Sequence, residues 1–148
     1  MNGNLVFVYG SLKSGFGNNR LLESSEFIGD ALTLASKFDM ISLGGFPGVV
    51  SGGQKRISGE VYSVSDDTLS RLDVLESNGS FYTREKTIVH FNYNKTFPAQ
   101  PVHEPCHVWI YLLPESYVDR CNSEYWTQRI KLNPAYESLN WITQEESI

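Results

Sequence analysis

Apolar and polar positions along the chain alternate between two periods. Leu5-Val6-Phe7-Val8-Tyr9 is an unbroken β-branched and aromatic run that stops at Gly10, the pattern of a buried strand entering a turn. Residues 18–23 leave room for one helical turn, and strand-like stretches follow at 27–40 and 48–50, divided by Gly44-Gly45-Phe46-Pro47. Residues 57–64 form a further strand. The period then changes: Leu69, Leu72 and Leu75 recur every three residues, and Ser65 stands where an N-cap accepts a backbone hydrogen bond, so a helix is expected over 65–75. Asp66 and Asp67 suit the positive end of that helix, and Ser77-Asn78-Gly79 stops it. Residues 81–93 return as a long strand rich in Thr, Val, Ile and aromatics, and 106–113 follow as another. The three prolines of 94–105 mark an exposed excursion between them, because proline removes ladder donors. A last helix is expected over 123–130. The residues after Pro134 read as an extension that packs or frays.

Strands outnumber helices and do not alternate with them, which disfavours a doubly wound sheet and points to an α+β domain with a curled or barrel-like sheet. With 148 residues the chain fits one domain, 1–148, with 134–148 as its C-terminal extension. A hydrophobic fraction of 41%, with eight Tyr, eight Phe and three Trp, supplies a core and enough aromatics to line a cavity. The net charge of −5 and a pI near 5.1, with Lys and Arg scattered singly, offer no field for a phosphate backbone, so nucleic acid is not an expected partner. Cys106 and Cys121 fit neither a redox pair nor a zinc-ligand spacing and read as free thiols. The apolar run 5–8 is too short for a secretory core and nothing approaches membrane-spanning length, so the expected setting is cytoplasmic, without a membrane partner. On that expectation the sequons at Asn78 and Asn94 are chance matches.

Gly10-Ser11-Leu12-Lys13-Ser14-Gly15-Phe16-Gly17 invites a phosphate-loop reading and fails it, because Phe16 and Gly17 occupy the places where such a loop needs Lys and a hydroxyl residue. What remains is a strand ending in Tyr9-Gly10-Ser11-Leu12, where a sharp turn can bare successive N–H groups to a carboxylate or an oxyanion; an ordinary turn with Ser11 serving the local backbone fits as well. Glu76 directly follows the leucine stripe at the negative end of the helix. Facing an aromatic cavity there, its carboxyl would be pushed up toward the range of general acid–base work; facing water, it would be an ordinary helix-end glutamate. Tyr82 and Arg84 are two apart on a strand and share a face, and Tyr62 lies near the end of the preceding strand; by themselves the tyrosines read as core anchors held through one hydroxyl bond. His90, His103 and His107 assemble into no metal or triad motif, with Pro105 interrupting the last two. Cys106 and His107 are strand neighbours that point to opposite faces.

In order along the chain, these residues resemble the γ-glutamyl cyclotransferase family, most closely its γ-glutamylamine cyclotransferase and plant avirulence-induced, AIG2-like, branch. Phe7-Val8-Tyr9-Gly10-Ser11-Leu12-Lys13 is similar to the family's opening strand and substrate loop, continued by Gly15, Asn18, Leu21 and Leu22, with Asn19 departing where a histidine is common. Gly59-Glu60-Val61-Tyr62 is similar to its second signature, Leu72-Asp73-Val74-Leu75-Glu76 ends on the catalytic glutamate, and Tyr82-Thr83-Arg84 follows. The resemblance spans roughly 5–113. It implies a mixed sheet curled into a small barrel with flanking helices, enclosing one site that uses neither metal nor organic cofactor. It also implies Glu76 as the catalytic residue and Tyr9, Gly10, Ser11, Leu12, Tyr62, Tyr82 and Arg84 as substrate-binding residues. The implied partner is a small γ-glutamyl molecule, whose α-amino group attacks its own γ-carbonyl to release 5-oxoproline and an amine. A binding module that keeps the fold without turnover is the alternative, and oligomeric state is not indicated.

Overall fold

The computed structural model describes residues 3–43, 46–79, 81–91, 105–120, 130–134 and 138–142. In chain order its strands are β1 (Asn4–Val8), β2 (Glu26–Thr33), β3 (Phe38–Ser42), β4 (Pro47–Ser51), β5 (Arg56–Val64), β6 (Thr83–Phe91), β7 (Cys106–Leu112), β8 (Ile130–Asn133) and β9 (Ser138–Trp141). One α-helix, α1 (Asp66–Leu75), joins β5 to β6, and short 3-10 helices cover Gly17–Leu22 and Glu115–Arg120.

Five strands close on themselves in the order β1-β7-β6-β2-β5 and back to β1. The β1–β7 contact is parallel and the other four are antiparallel, so the sheet is mixed and its barrel has no free edge within that ring. Strand β5 is long enough to serve two neighbours on one edge: its residues 60–64 pair with β1, while Arg56 and Ile57 pair with β9. A register shift between Phe27 and Gly29 bends β2 within its pairing with β5, which continues on both sides of the shift.

Side-chain alternation divides the core in two. Phe7, Ala31, Val61, Val89 and Ile110, one from each barrel strand, belong to a single buried cluster, which fills the barrel and takes in Leu139 and Trp141 from β9. The alternate residues of β1, Val6 and Val8, face the other way and pack with Val64, Leu69 and Leu72 under α1. Burial of a side chain such as Leu72, which has no exposed surface, contributes about 1.5–3 kcal/mol and fixes α1 to the outside of the barrel.

The helix begins as its sequence dictates, with the Thr68 N–H donating to Ser65 Oγ at 3.1 Å. Its leucine stripe is shorter than expected. Leu69 and Leu72 are buried, whereas Leu75 is 40% exposed and turns toward solvent beside Glu76. The helix ends in a Schellman arrangement: Asn78 N–H donates to the Asp73 carbonyl, Ser77 N–H donates to the Val74 carbonyl, and Ser77 takes a left-handed φ of 51°.

Three expectations change. The stretch 27–40 is not one strand, because the exposed residues 34–37 break it into β2 and β3. Strand β3 then pairs with β4 in a separate two-stranded sheet. The helical turn expected at 18–23 is a 3-10 helix starting one residue earlier. Beyond residue 134 the chain adds β9, paired with β8 and β5, and Trp141 is 1% exposed. Of the helix expected over 123–130, residues 123–129 lie outside the described residues and Ile130 opens β8. The excursion at 94–104, the sequon at Asn94, His103 and Cys121 also lie outside them. Among the described residues no helix is long and apolar enough to cross a membrane.

Candidate active site

Glu76 is the C-cap of α1 and stands where two cavities meet. The inner one, of about 40 Å³, lies between the end of β1 and the start of β4; Tyr9, Gly10, Ser11, Leu12, Pro47, Glu76, Tyr82 and Tyr111 are among its walls. The outer one, of about 410 Å³, opens past Ser11, Asn18, Phe46, Leu75, Phe81 and Tyr82. The two share Ser11, Phe46, Glu76 and Tyr82 and form one cleft with a narrow end. The outer part has the size of a small-molecule site and the inner part holds little more than one or two waters.

The cradle at the narrow end follows from β1. Gly10 is buried against Pro47, and a Cβ there would sit 2.9 Å from the proline Cγ, so close approach rather than a left-handed φ requires the glycine. The left-handed glycine of this loop is Gly15, with φ 89°. The loop is drawn tight by Lys13 N–H to the Gly10 carbonyl at 3.0 Å and by Asn18, whose N–H donates to the Ser11 carbonyl and whose Nδ2 donates to Ser11 Oγ at 2.9 Å. Asn19 Nδ2 donates to the Leu12 carbonyl at 2.8 Å. These bonds engage the carbonyls of the turn. Among the described residues no acceptor within the chain meets the backbone N–H groups of Gly10, Ser11 or Leu12. Three successive donors bordering a cavity are a ready site for an anionic oxygen.

Glu76 has the opposite character. Burial alone pushes its carboxyl up from 4.5 to about 7, and no hydrogen bond from a described donor offsets that loss of solvation. Three tyrosines surround it, and each hydroxyl is directed elsewhere. Tyr9 donates to the Tyr111 carbonyl at 2.6 Å, Tyr82 to the Pro47 carbonyl at 2.9 Å, and Tyr111 to Asp73 Oδ1 at 2.7 Å. Burial raises all three phenols, so they stand as neutral walls and leave Glu76 as the titrating side chain among the described residues that line the cleft.

Of the substrate-binding residues expected from sequence, Tyr9, Gly10, Ser11, Leu12 and Tyr82 line the cleft with Glu76, while Tyr62 and Arg84 do not. Alternation along β5 turns Tyr62 away from the barrel and under the loop, where its hydroxyl meets Ser14 Oγ, Asn19 Nδ2 and Glu60 Oε1, each at 3.1 Å. Tyr62 is a buttress for the cradle from behind. Arg84 is committed to Asp73, to which it donates from Nε at 2.8 Å and from Nη2 at 3.0 Å, with its guanidinium 4.2 Å from the Trp109 ring centre.

Pro47, Tyr111, Asn18 and Asp73 lie at the cleft or beside it and are not among the site residues expected from sequence. Asn18 and Asp73 carry a signal, since both stand within the stretches on which the family resemblance rests, and Asp73 is also a carboxylate on the helix one turn before Glu76. His90 and His107 lie on β6 and β7 away from the cleft; burial and the neighbouring Arg56 lower the His90 imidazole. Cys106 is a free, half-buried thiol raised by burial. Among the described residues no group of three or more His, Cys, Asp or Glu could hold a metal ion.

Comparison with known proteins gives a consistent result. The family described as gamma-glutamyl cyclotransferase, AIG2-like, matches residues 6–128. A Methanocaldococcus jannaschii protein provisionally named a gamma-glutamylcyclotransferase is 36% identical over 113 residues, 75% of this chain and 85% of the relative. A Vibrio cholerae protein with the same provisional name is 33% identical over 128 residues, 85% of this chain and 97% of the relative. The crystal structure of a mouse AIG2-like protein superposes with a TM-score of 0.68 at 22% identity, covering 95% of this chain and 97% of the other, a likeness of fold.

Proposed function

Because the chain belongs to the gamma-glutamyl cyclotransferase, AIG2-like family, we propose that it converts a γ-glutamylamine or γ-glutamyl amino acid into 5-oxoproline and a free amine, with Glu76 as general acid and base. One observation carries the reading: a carboxyl raised to about 7 by burial, the one carboxyl among the described residues lining the cleft, shares that cleft with three backbone N–H groups that meet no acceptor among the described residues.

Nucleophile and target belong to one substrate, so the protein has to fold that molecule into an attacking conformer and move protons. The Glu76 carboxylate takes a proton from the α-ammonium. The freed amine attacks the γ-carbonyl carbon and closes a five-membered ring, placing negative charge on the former carbonyl oxygen. Glu76, now protonated, gives its proton to the leaving nitrogen; the carbon–nitrogen bond breaks as the oxyanion re-forms the carbonyl, and the regenerated Glu76 carboxylate takes the surplus proton from the new ring nitrogen and passes it to the departing amine, which leaves as an ammonium. No water is consumed and no outside nucleophile is needed, which is why a cleft with one titrating carboxyl suffices. The N–H groups of Gly10 to Leu12 hold an oxygen of the substrate in this scheme, where preorganised donors act most strongly.

The test is to incubate the purified protein with a panel of γ-glutamyl amines, γ-glutamyl amino acids and glutathione, and to measure 5-oxoproline. Release from at least one compound, abolished by Glu76→Gln, is expected. A panel that yields none while one member binds in the cleft would replace catalysis with a binding role.

A further inference from the structure

Lys13 directly follows the cradle, yet its side chain leaves the cleft and is 7% exposed. Its Nζ donates to the Trp141 carbonyl at 2.6 Å and to Asn140 Oδ1 at 2.7 Å, and stands 5.4 Å from the centre of the Phe16 ring. A buried ammonium needs such acceptors, so this geometry is strongly determined. The backbone of the same residue closes the turn: its N–H donates to Gly10 and its carbonyl accepts from Phe16 at 3.1 Å. One residue therefore joins the cradle to β9. Strand β9 is itself held by parallel pairing with Arg56 and Ile57, and Leu139 and Trp141 are embedded in the barrel core.

We propose that Lys13 is a positioning residue that ties the oxygen-binding cradle to the C-terminal strand, making the cradle's geometry depend on Asn140 and Trp141. Lys13 is not among the residues lining either part of the cleft, so it acts through the loop rather than by touching substrate. Its effect on turnover rests on the function proposed above, whereas the mechanical link does not.

The experiment uses the full chain and three variants. Lys13→Met keeps the apolar stem and removes the ammonium. Asn140→Leu removes one acceptor and leaves the Trp141 carbonyl in place, while Asn140→Asp restores an acceptor oxygen at the same position. Amide hydrogen exchange is followed by NMR at Lys13, Phe16 and Asn18, whose N–H groups are bonded within the loop, and at Leu69 and Leu72 in α1 as internal reference. Lys13→Met is expected to speed loop exchange about tenfold or more relative to α1, Asn140→Leu less, and Asn140→Asp hardly at all. With a turned-over γ-glutamyl compound, KM should rise about tenfold in Lys13→Met while kcat changes far less, since a misplaced cradle weakens binding before proton transfer.

Unchanged loop exchange in Lys13→Met, exchange raised equally in loop and helix, or an Asn140→Asp variant as impaired as Asn140→Leu would overturn the proposal. Should Lys13→Met fail to fold, the two Asn140 variants decide it by the same comparison. If wild type turns over no compound, the functional reading falls while the exchange data still judge Lys13.

Discussion

Asp73 grips Arg84 at both ends of its guanidinium, Nε to Oδ1 at 2.8 Å and Nη2 to Oδ2 at 3.0 Å, one helical turn ahead of Glu76. Tyr111 adds its hydroxyl to the same carboxylate, and Trp109 covers the guanidinium face. The pair therefore joins α1 to β6 and β7 beside the cleft and takes the Arg84 charge out of it.

Asp73→Ala should destabilise the fold by about 2–4 kcal/mol, because it strands a partly covered guanidinium and a tyrosine hydroxyl; the partial exposure of both side chains keeps the loss below that of a fully buried pair. Arg84→Lys should lose part of that amount, since a point charge does not replace the fork. Urea denaturation of the two variants measures this. A normal midpoint in both, with the damage confined to KM, would return Arg84 to the substrate.

The residues that were legible in the sequence are those whose role is local. The Ser65 cap, the leucine stripe as far as Leu72, the turn at Ser77 and the position of Glu76 on the helix end all depend on neighbours a few positions away. Tyr9 and Tyr111 are 102 positions apart, and nothing in the chain around Tyr111 distinguishes it from any aromatic strand residue until β1 and β7 are side by side. Strands β8 and β9 have four residues each, too short to show a period, and they become recognisable through their pairing with each other and with β5. Tyr62 enters the expected substrate-binding set through the family resemblance, and its position in the chain does not tell which side of a closed barrel it faces.

The walls of the cleft bear on the leaving amine. Phe46, Leu75 and Phe81 face its outer part, and among its described lining residues Glu76 is the one formally charged side chain. A glutathione molecule would bring a terminal carboxylate to a wall without a cation, whereas a γ-glutamylamine with an aliphatic leaving group would meet apolar surface. The expected result is a higher kcat/KM for the γ-glutamylamine in side-by-side 5-oxoproline assays. Equal or faster release from glutathione would contradict it.

Ser77 occupies a left-handed position that glycine usually holds at a helix end. An L-residue there is strained by about 1–2 kcal/mol, while glycine gives back about 0.5–1 kcal/mol in chain entropy. Ser77→Gly should accordingly stabilise by a few tenths to about 1 kcal/mol, raising the melting temperature by about 1–4 °C. Since the Schellman hydrogen bonds come from the backbone, Glu76 should keep its place and turnover should be preserved. A lower melting temperature would show that the Ser77 side chain does more than tolerate its φ.

Glu76→Gln separates catalysis from folding through its dependence on pH. Gln keeps the shape and the hydrogen-bonding capacity of Glu and removes the titrating proton, so turnover should fall by about 10²–10⁴-fold while the cleft still binds substrate. The stability effect has a definite sign. The folded carboxyl is raised from 4.5 to about 7, so the folded state holds this proton where the unfolded chain has released it, and the stability of wild type declines as pH rises through that interval. Below pH 4.5 both states are protonated and the residue contributes no difference. Above about 7 the full penalty of a buried carboxylate is present, of order 3 kcal/mol for a shift of this size. Gln has no such penalty. The variant should therefore melt close to wild type near pH 4.5 and progressively above it toward pH 8, while wild-type kcat/KM rises with pH, passes half its maximum near 7 and levels off about one pH unit higher as the base form fills. Melts of both proteins across this range, with 5-oxoproline rates alongside, give the answer. A difference in stability that does not grow with pH would mean that Glu76 is solvated and ordinary. Near-normal turnover in the variant would remove it from the chemistry.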